Sequence, residues 1–146
     1  MSVVAWDGTH LAADRQATCR DMRRRTVKLV RSPSSGLVFS WTGTESLGRI
    51  LMAWYEEGKD PTKWPAAQAT SDWTRMIVAH KDRIEEWEQH PSPTIHPIGL
   101  IAAWGSGRDF AIGALATGSS AKHAVLIASR YNVACGMGVT VMRVRK

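Results

Sequence analysis

The sequence predicts an α+β chain built on antiparallel sheets, with helix layers outside them. Three observations carry this. Helical segments arrive in pairs rather than singly between strands, which argues against the alternation of a parallel sheet. Strand segments are joined by short turns, beginning with Asp7-Gly8, a pair whose glycine tolerates the positive φ of tight hairpins. The length, 146 residues, fits one domain spanning 1–146, large enough to bury a core without a disulfide or metal staple.

The elements follow in order. "SVVAW" and "HLAAD" flank "DGT" as a hairpin. "RRTVKLVRS" is β-rich, "SPSSG" is a turn, and "LVFSWTG" alternates Leu37, Phe39 and Trp41 against Val38, Ser40 and Thr42. Thr44 reads as an N-cap. From Glu45 to Glu57 the apolar residues Leu47, Ile50, Leu51 and Trp54 recur at helical spacing, and Gly58 stops the run. "KDPTKWP" is a loop, and Pro65 starts a second helix through Ala69 and Trp73. "MIVAHKDRIEEW" is a strand pair around His80-Lys81-Asp82, followed by a Pro-rich loop, "EQHPSPTIHP". "IGLIAAW" is an apolar strand. A turn at "GSG" leads into a helix closed by Gly118, a second helix with a Ser N-cap runs through "SSAKHAVLIASRYN", and "GVTVMRVRK" is a last strand. No repeat or low-complexity segment interrupts the pattern.

Composition narrows the setting. The longest apolar runs are far short of a membrane span, and no charged-then-apolar leader precedes the first strand, so a cytoplasmic protein is expected. Two cysteines without paired spacing, Cys19 and Cys135, fit a reduced compartment. The net charge of +6 gathers in "CRDMRRRTVKLVR" and "MRVRK". Arg20, Arg23, Arg24, Arg25 and Lys28 could form a nucleic-acid face, but no nucleic-acid motif accompanies them, and a solvated surface is the better reading. The five histidines lack metal-ligand spacing, so neither metal nor cofactor is expected. Trp41, Trp54 and Trp73 fall on apolar faces as core; Trp6, Trp64, Trp87 and Trp104 are read as lining helix layers or subunit contacts.

Ser2 carries the chemistry. If Met1 is removed, one residue bears both a hydroxyl and a free α-amine. An α-amine has an ordinary pKa near ~8, within reach of general-base work at neutral pH. A hydroxyl beside such a base is an activated nucleophile. Taken singly, other residues have plain structural readings. Asp14 and Lys28 can be an ordinary ion pair, Gly43 can be the bend before a helix, and Ser106 can cap the helix after it.

Taken in order, "LAADRQAT", "TVKLV", "FSWTGT", "AWGSGRDFAIGA" and "NVACGMG" resemble the proteasome β-subunit family, above all its bacterial HslV-like branch and small phage-type relatives. These are N-terminal-nucleophile (Ntn) hydrolases. The resemblance covers nearly the whole chain. It implies a four-layer αββα sandwich with two antiparallel sheets. It places Ser2 where the family has its N-terminal threonine, Asp14 at the family's acid, Lys28 at the lysine beside the nucleophile, and Gly43 at the oxyanion donor. Ser106 matches the serine near the amine. Asn132 and Cys135 stand where the family usually has Asp and Ser, as supporting residues. The implied activity is hydrolysis of peptide bonds in a peptide or unfolded-protein substrate by a protease of threonine type, with serine as nucleophile. The implied assembly is a ring-like homo-oligomer with its sites facing an inner chamber, and an ATP-dependent unfoldase is the partner such a ring would use.

Three departures stand out. Serine lacks the methyl that restricts threonine's χ1, an amide at 132 cannot stabilise an ammonium as a carboxylate does, and a thiol at 135 is a weak hydrogen-bond partner. They motivate an alternative: a catalytically inactive proteasome-like assembly or interaction protein.

Overall fold

The computed structural model describes residues 2–70 and 73–144; Met1, whose removal the expected Ser2 nucleophile would require, lies outside them. The elements are β1 (Val3–Trp6), β2 (His10–Asp14), β3 (Gln16–Cys19), β4 (Met22–Arg25), β5 (Leu29–Arg31), β6 (Val38–Thr42), α1 (Glu45–Glu56), β7 (Arg75–Ala79), β8 (Arg83–Trp87), β9 (Thr94–Pro97), β10 (Ala102–Gly105), α2 (Arg108–Ala116), α3 (Ala121–Tyr131) and β11 (Val139–Arg143). They form a four-stranded sheet in the order β10-β1-β2-β11, a five-stranded sheet in the order β5-β6-β7-β8-β9, and the separate hairpin β3-β4. Every pairing is antiparallel.

Period-two alternation sends each central strand into two different cores. From β1, Val3 and Ala5 pack with Ala111, Leu115, Val125 and Ala128 of α2 and α3. Their neighbours Val4 and Trp6 meet Leu29, Val38, Ile77 and Ile84 of the five-stranded sheet. Within that sheet, Ile77 faces the first sheet while Met76 and Val78 join Phe39 and Trp87 against Leu51, Trp54 and Tyr55 of α1. Strands buried on both faces read as near-continuous apolar runs, which is why "SVVAW" and "RMIVA" show little polar alternation.

Local signals set the helix ends. Ser120 caps α3 by accepting a hydrogen bond from the His123 N–H at 3.2 Å, as its type favours. Gly58, at φ +111°, follows α1, and Gly118, at φ +90°, follows α2. Gly48 serves packing instead: a Cβ there would overlap the Trp41 ring, so the glycine lets α1 lie directly on that indole.

The structure corrects several expectations. No helix runs from Pro65 to Trp73; the chain forms short 3-10 turns over Pro61–Lys63 and Ala66–Ala69. Buried Gln68 turns its side chain inward, where its Oε1 accepts from the Thr74 N–H at 2.7 Å and its amide donates to the carbonyls of Thr74 and Glu88 at 2.6 Å. The Pro-rich segment contains β9, which among the described residues pairs only with β8 and so tolerates Pro97 at an edge. Ile50 faces solvent, and Tyr55 takes its place on the buried face of α1. Trp6, Trp87 and Trp104 are core residues rather than layer linings. The β-rich run "RRTVKLVRS" is divided: Arg24 and Arg25 end β4, which pairs with β3, and Leu29–Arg31 form β5.

Candidate active site

Asp14 ends β2, is buried, and gathers four donors. Its Oδ1 accepts from the Lys28 ammonium at 2.8 Å and from the Val3 N–H at 3.0 Å. Its Oδ2 accepts from the backbone N–H groups of Gln16 at 3.2 Å and Gly136 at 3.0 Å. A buried carboxylate is tolerable only when paired and hydrogen-bonded, and this one is satisfied by four separate stretches of chain. The Val3 bond fixes the peptide that joins it to Ser2. The Lys28 ammonium therefore lies within two hydrogen-bond lengths of that peptide.

The other side of Ser2 is held by the strand-to-helix turn after β10. The Ser2 carbonyl accepts from the Gly107 N–H and the Ser106 hydroxyl, both at 3.3 Å. Gly105 sits at φ +93°, and a Cβ there would overlap the Ser2 carbonyl. Only glycine permits both that backbone angle and that approach. Ser2 itself is buried.

Ser106 thus reaches the Ser2 backbone rather than capping α2, whose N-cap is Gly107. Asn132 supports the turn: its Nδ2 donates to the Ser106 carbonyl at 2.8 Å and its Oδ1 accepts from the Ala134 N–H at 2.9 Å. Cys135 is buried with its sulfur 3.9 Å from the Ser106 hydroxyl. Burial, then the negative charge of Asp14, pushes its thiol pKa up, so the group is a neutral thiol rather than a thiolate.

Gly43, at φ +104°, bends the chain between β6 and α1. It stands with Lys28 on the wall of a cavity of about 680 Å³. The same wall carries Trp41, Glu45, Arg24 and Arg49. Glu45 bridges the two arginines, with Arg24 at 3.1 Å and Arg49 at 3.2 Å. Burial works to raise the Glu45 pKa, but the Thr26 hydroxyl and the two guanidiniums outweigh it, and the carboxyl ends below its ordinary range. The sequence reading missed this wall. The Glu45–Arg49 spacing of one helical turn was visible as a pair; the approach of Arg24 from the hairpin had no signal in the chain.

The structure brings Ser2, Asp14, Lys28, Ser106, Asn132 and Cys135 into one contiguous cluster, with Gly43 on the cavity beside Lys28. Among the described residues no group of three or more His, Cys, Asp or Glu could hold a metal ion, and no helix is long and apolar enough to cross a membrane.

No protein-family model and no curated protein sequence matches the chain. Solved structures do. Thiobacillus denitrificans BPH in complex with epoxomicin is 17% identical, covers 99% of this chain and 99% of its own, and superposes with a TM-score of 0.72. Thiobacillus denitrificans BPH alone is also 17% identical, with 99% and 98% covered and a TM-score of 0.68. Eukaryotic HslV from Trypanosoma brucei is 20% identical, with 97% of each chain covered and a TM-score of 0.72. The chain therefore has an HslV-like fold, mixed α and β on antiparallel sheets.

Proposed function

We propose that this chain is a proteasome/HslV-like peptidase that uses Ser2 as its nucleophile once Met1 has been removed. The observation that carries the reading is the shared Asp14 oxygen, which holds the Lys28 ammonium at 2.8 Å and the peptide next to Ser2 at 3.0 Å. A cation fixed beside a hydroxyl favours its ionised form and steadies the negative charge of the attack.

In this reading the Ser2 hydroxyl attacks the carbonyl carbon of a peptide bond, and the α-amine of Ser2 takes its proton. The oxyanion faces the Gly43 N–H. The C–N bond breaks, the departing amine receives the proton from the α-ammonium, and an ester to the Ser2 oxygen remains. Water, deprotonated by the same amine, hydrolyses that ester and restores the hydroxyl. Asp14 orients Lys28, Ser106 and Asn132 hold the turn against the Ser2 carbonyl, and Cys135 packs behind it.

The wider reading follows the HslV-like fold. The whole chain, 1–146, is one domain in the four-layer αββα arrangement, which the three apolar clusters support. It forms ring-like homo-oligomers in the cytoplasm, acts on peptides or unfolded proteins, and accepts them from an ATP-dependent unfoldase.

A second reading, an inactive assembly protein of the same fold, draws on Asn132 and Cys135. Both are engaged in holding the Ser106 turn, and neither supplies a charge to the amine. Intact-mass analysis after incubation with epoxomicin separates the two. The active reading expects a chain lacking Met1, with one equivalent of inhibitor that is lost in Ser2→Ala. A chain that keeps Met1, or one that stays unlabelled, excludes the peptidase and leaves the assembly protein.

A further inference from the structure

Glu86 is a largely buried carboxylate that the proposed attack does not use, and it stands where the two sheets meet near Ser2. Its side chain, on β8, is 11% exposed. Oε1 holds the Arg75 Nε of β7 at 2.7 Å. Oε2 accepts from the Trp104 indole N–H of β10 at 2.9 Å and meets the His96 Nε2 of β9 at 2.6 Å. β7, β8 and β9 belong to the five-stranded sheet, whereas β10 is an edge of the other. One carboxylate thus ties sheet to sheet. Arg75 is itself held by Glu88 and by the Trp73 ring, its guanidinium carbon 5.4 Å from the centroid, so the anchor has a fixed direction.

Both arms end next to the site. Trp104 lies opposite Val4 of β1 and precedes Gly105, where a Cβ would overlap the Ser2 carbonyl. Arg75 lies opposite Thr42, the residue before Gly43. Thr42 and Gly105 are neighbours in turn: a Cβ on Gly105 would stand 3.2 Å from the Thr42 methyl. The apolar contact between the sheets, such as that of Trp104 with Val4 and Ile77, is non-directional and lets the layers slide. Charge-assisted hydrogen bonds have preferred lengths and directions, and fix the offset. Stability is a poor reason for such a group, because packed apolar side chains of similar volume serve as well or better.

Resting on the peptidase reading, we propose that Glu86 is a positioning residue for the attack at Ser2. It fixes the offset between β10, which holds Ser2 through Gly105, and β6, which carries Gly43 and is reached through Arg75. In acylation the Ser2 oxygen and the Gly43 N–H must address one carbonyl group, the first its carbon and the second its oxygen. A drift of β10 against β6 separates those two points. An error of about 1 Å in such a pair costs about a hundredfold in rate. Glu85, the preceding residue, is the natural contrast. It is equally buried but faces α1, accepting from the Tyr55 hydroxyl at 2.8 Å and the Trp87 indole N–H at 3.1 Å.

The test follows epoxomicin labelling of Ser2 in the chain freed of Met1 over a range of inhibitor concentrations, which separates the maximal labelling rate from the half-saturating concentration. Glu86→Gln leaves one acceptor oxygen where there were two, so one arm is released. It should lower the maximal rate by about ten- to a hundredfold and leave the half-saturating concentration in place. Arg75→Gln, at a partly exposed side chain, should lower the rate less, because the Trp104 arm remains. Glu85→Gln should keep the wild-type maximal rate even though urea unfolding shows it destabilised. Hydrogen exchange reads the same geometry without turnover: segments 40–44 and 103–107 should exchange faster in Glu86→Gln and not in Glu85→Gln. A maximal rate unmoved by Glu86→Gln, an equal loss in Glu85→Gln, or a loss confined to the half-saturating concentration overturns the proposal. A wild-type chain that takes no label overturns the peptidase; faster exchange of the two segments then still supports the tie between the sheets, and unaltered exchange overturns that as well.

Discussion

Lys28 and Asp14 illustrate how much one side chain can carry. The ammonium is 6% exposed and the carboxylate 0%, so the pair sits where water cannot stand in for either partner. Removing one member of such a pair leaves the other as an uncompensated buried charge, at about 3–5 kcal/mol. Three backbone N–H groups remain on Asp14 after the loss of Lys28, which places the expected cost at the lower end. Lys28→Met should therefore lower stability by about 3 kcal/mol in urea unfolding and abolish epoxomicin labelling at Ser2. A variant that labels at the wild-type rate would show that the ammonium takes no part in the attack. Charge matters differently at Glu45, whose depressed pKa marks a carboxylate that stays ionised at neutral pH and keeps both arginines in place.

At the level of elements, the β1-β2 turn does more than reverse the chain. Asp7 accepts the Thr9 and His10 N–H groups on one oxygen and the Ala121 N–H, at the start of α3, on the other at 2.8 Å. Burial works to raise its pKa, but the hydrogen bonds from Ala121, His10 and Thr9 prevail and the value falls below 3.8. A carboxyl depressed in the folded state stabilises fully above its unfolded pKa and loses that contribution as pH falls through the folded value. Asp7→Ala should cost about 1–2 kcal/mol at pH 7, and the gap from the wild type should close as the pH drops below 3.8. A gap that persists unchanged in acid would mean that the carboxylate is not the source. The sequence announced this turn through Asp7-Gly8 but not its second duty, because Ala121 lies 114 residues away. The same limit explains the rest. Hairpins, α1 and α3 were legible from local signals such as Thr44, Gly58 and Ser120. The β3-β4 hairpin was not, since its arginines are exposed on both faces and show no alternation. The run after Pro65 imitated a helix until Gln68 turned inward to bind Thr74. In the site, the order of Asp14, Lys28 and Gly43 along the chain was readable, whereas the wall formed by Trp41, Arg24 and Arg49 depended on contacts between distant segments.

For the molecule as a whole, the two sheets and the helices of α2 and α3 leave apolar surface uncovered. Phe110 stacks on Tyr131 with ring centroids 5.8 Å apart, and Val133 just beyond α3 is 88% exposed. A head-to-tail ring closes by repeating one heterologous contact, and side chains such as these supply apolar area for it. Sedimentation velocity at micromolar concentration should show a species several times heavier than the 16.1 kDa chain; a lone monomer would remove the chamber from the proposed function. One contact inside the chain reaches further in time than in space. Gly136 completes the set of donors on Asp14 from 122 residues downstream. In the proposed peptidase, a ribosome that has paused anywhere before that glycine holds a chain whose reactive corner is still unfinished. A nascent copy is then unarmed, and its neighbours in the polysome are safe from it, until residue 136 has been made.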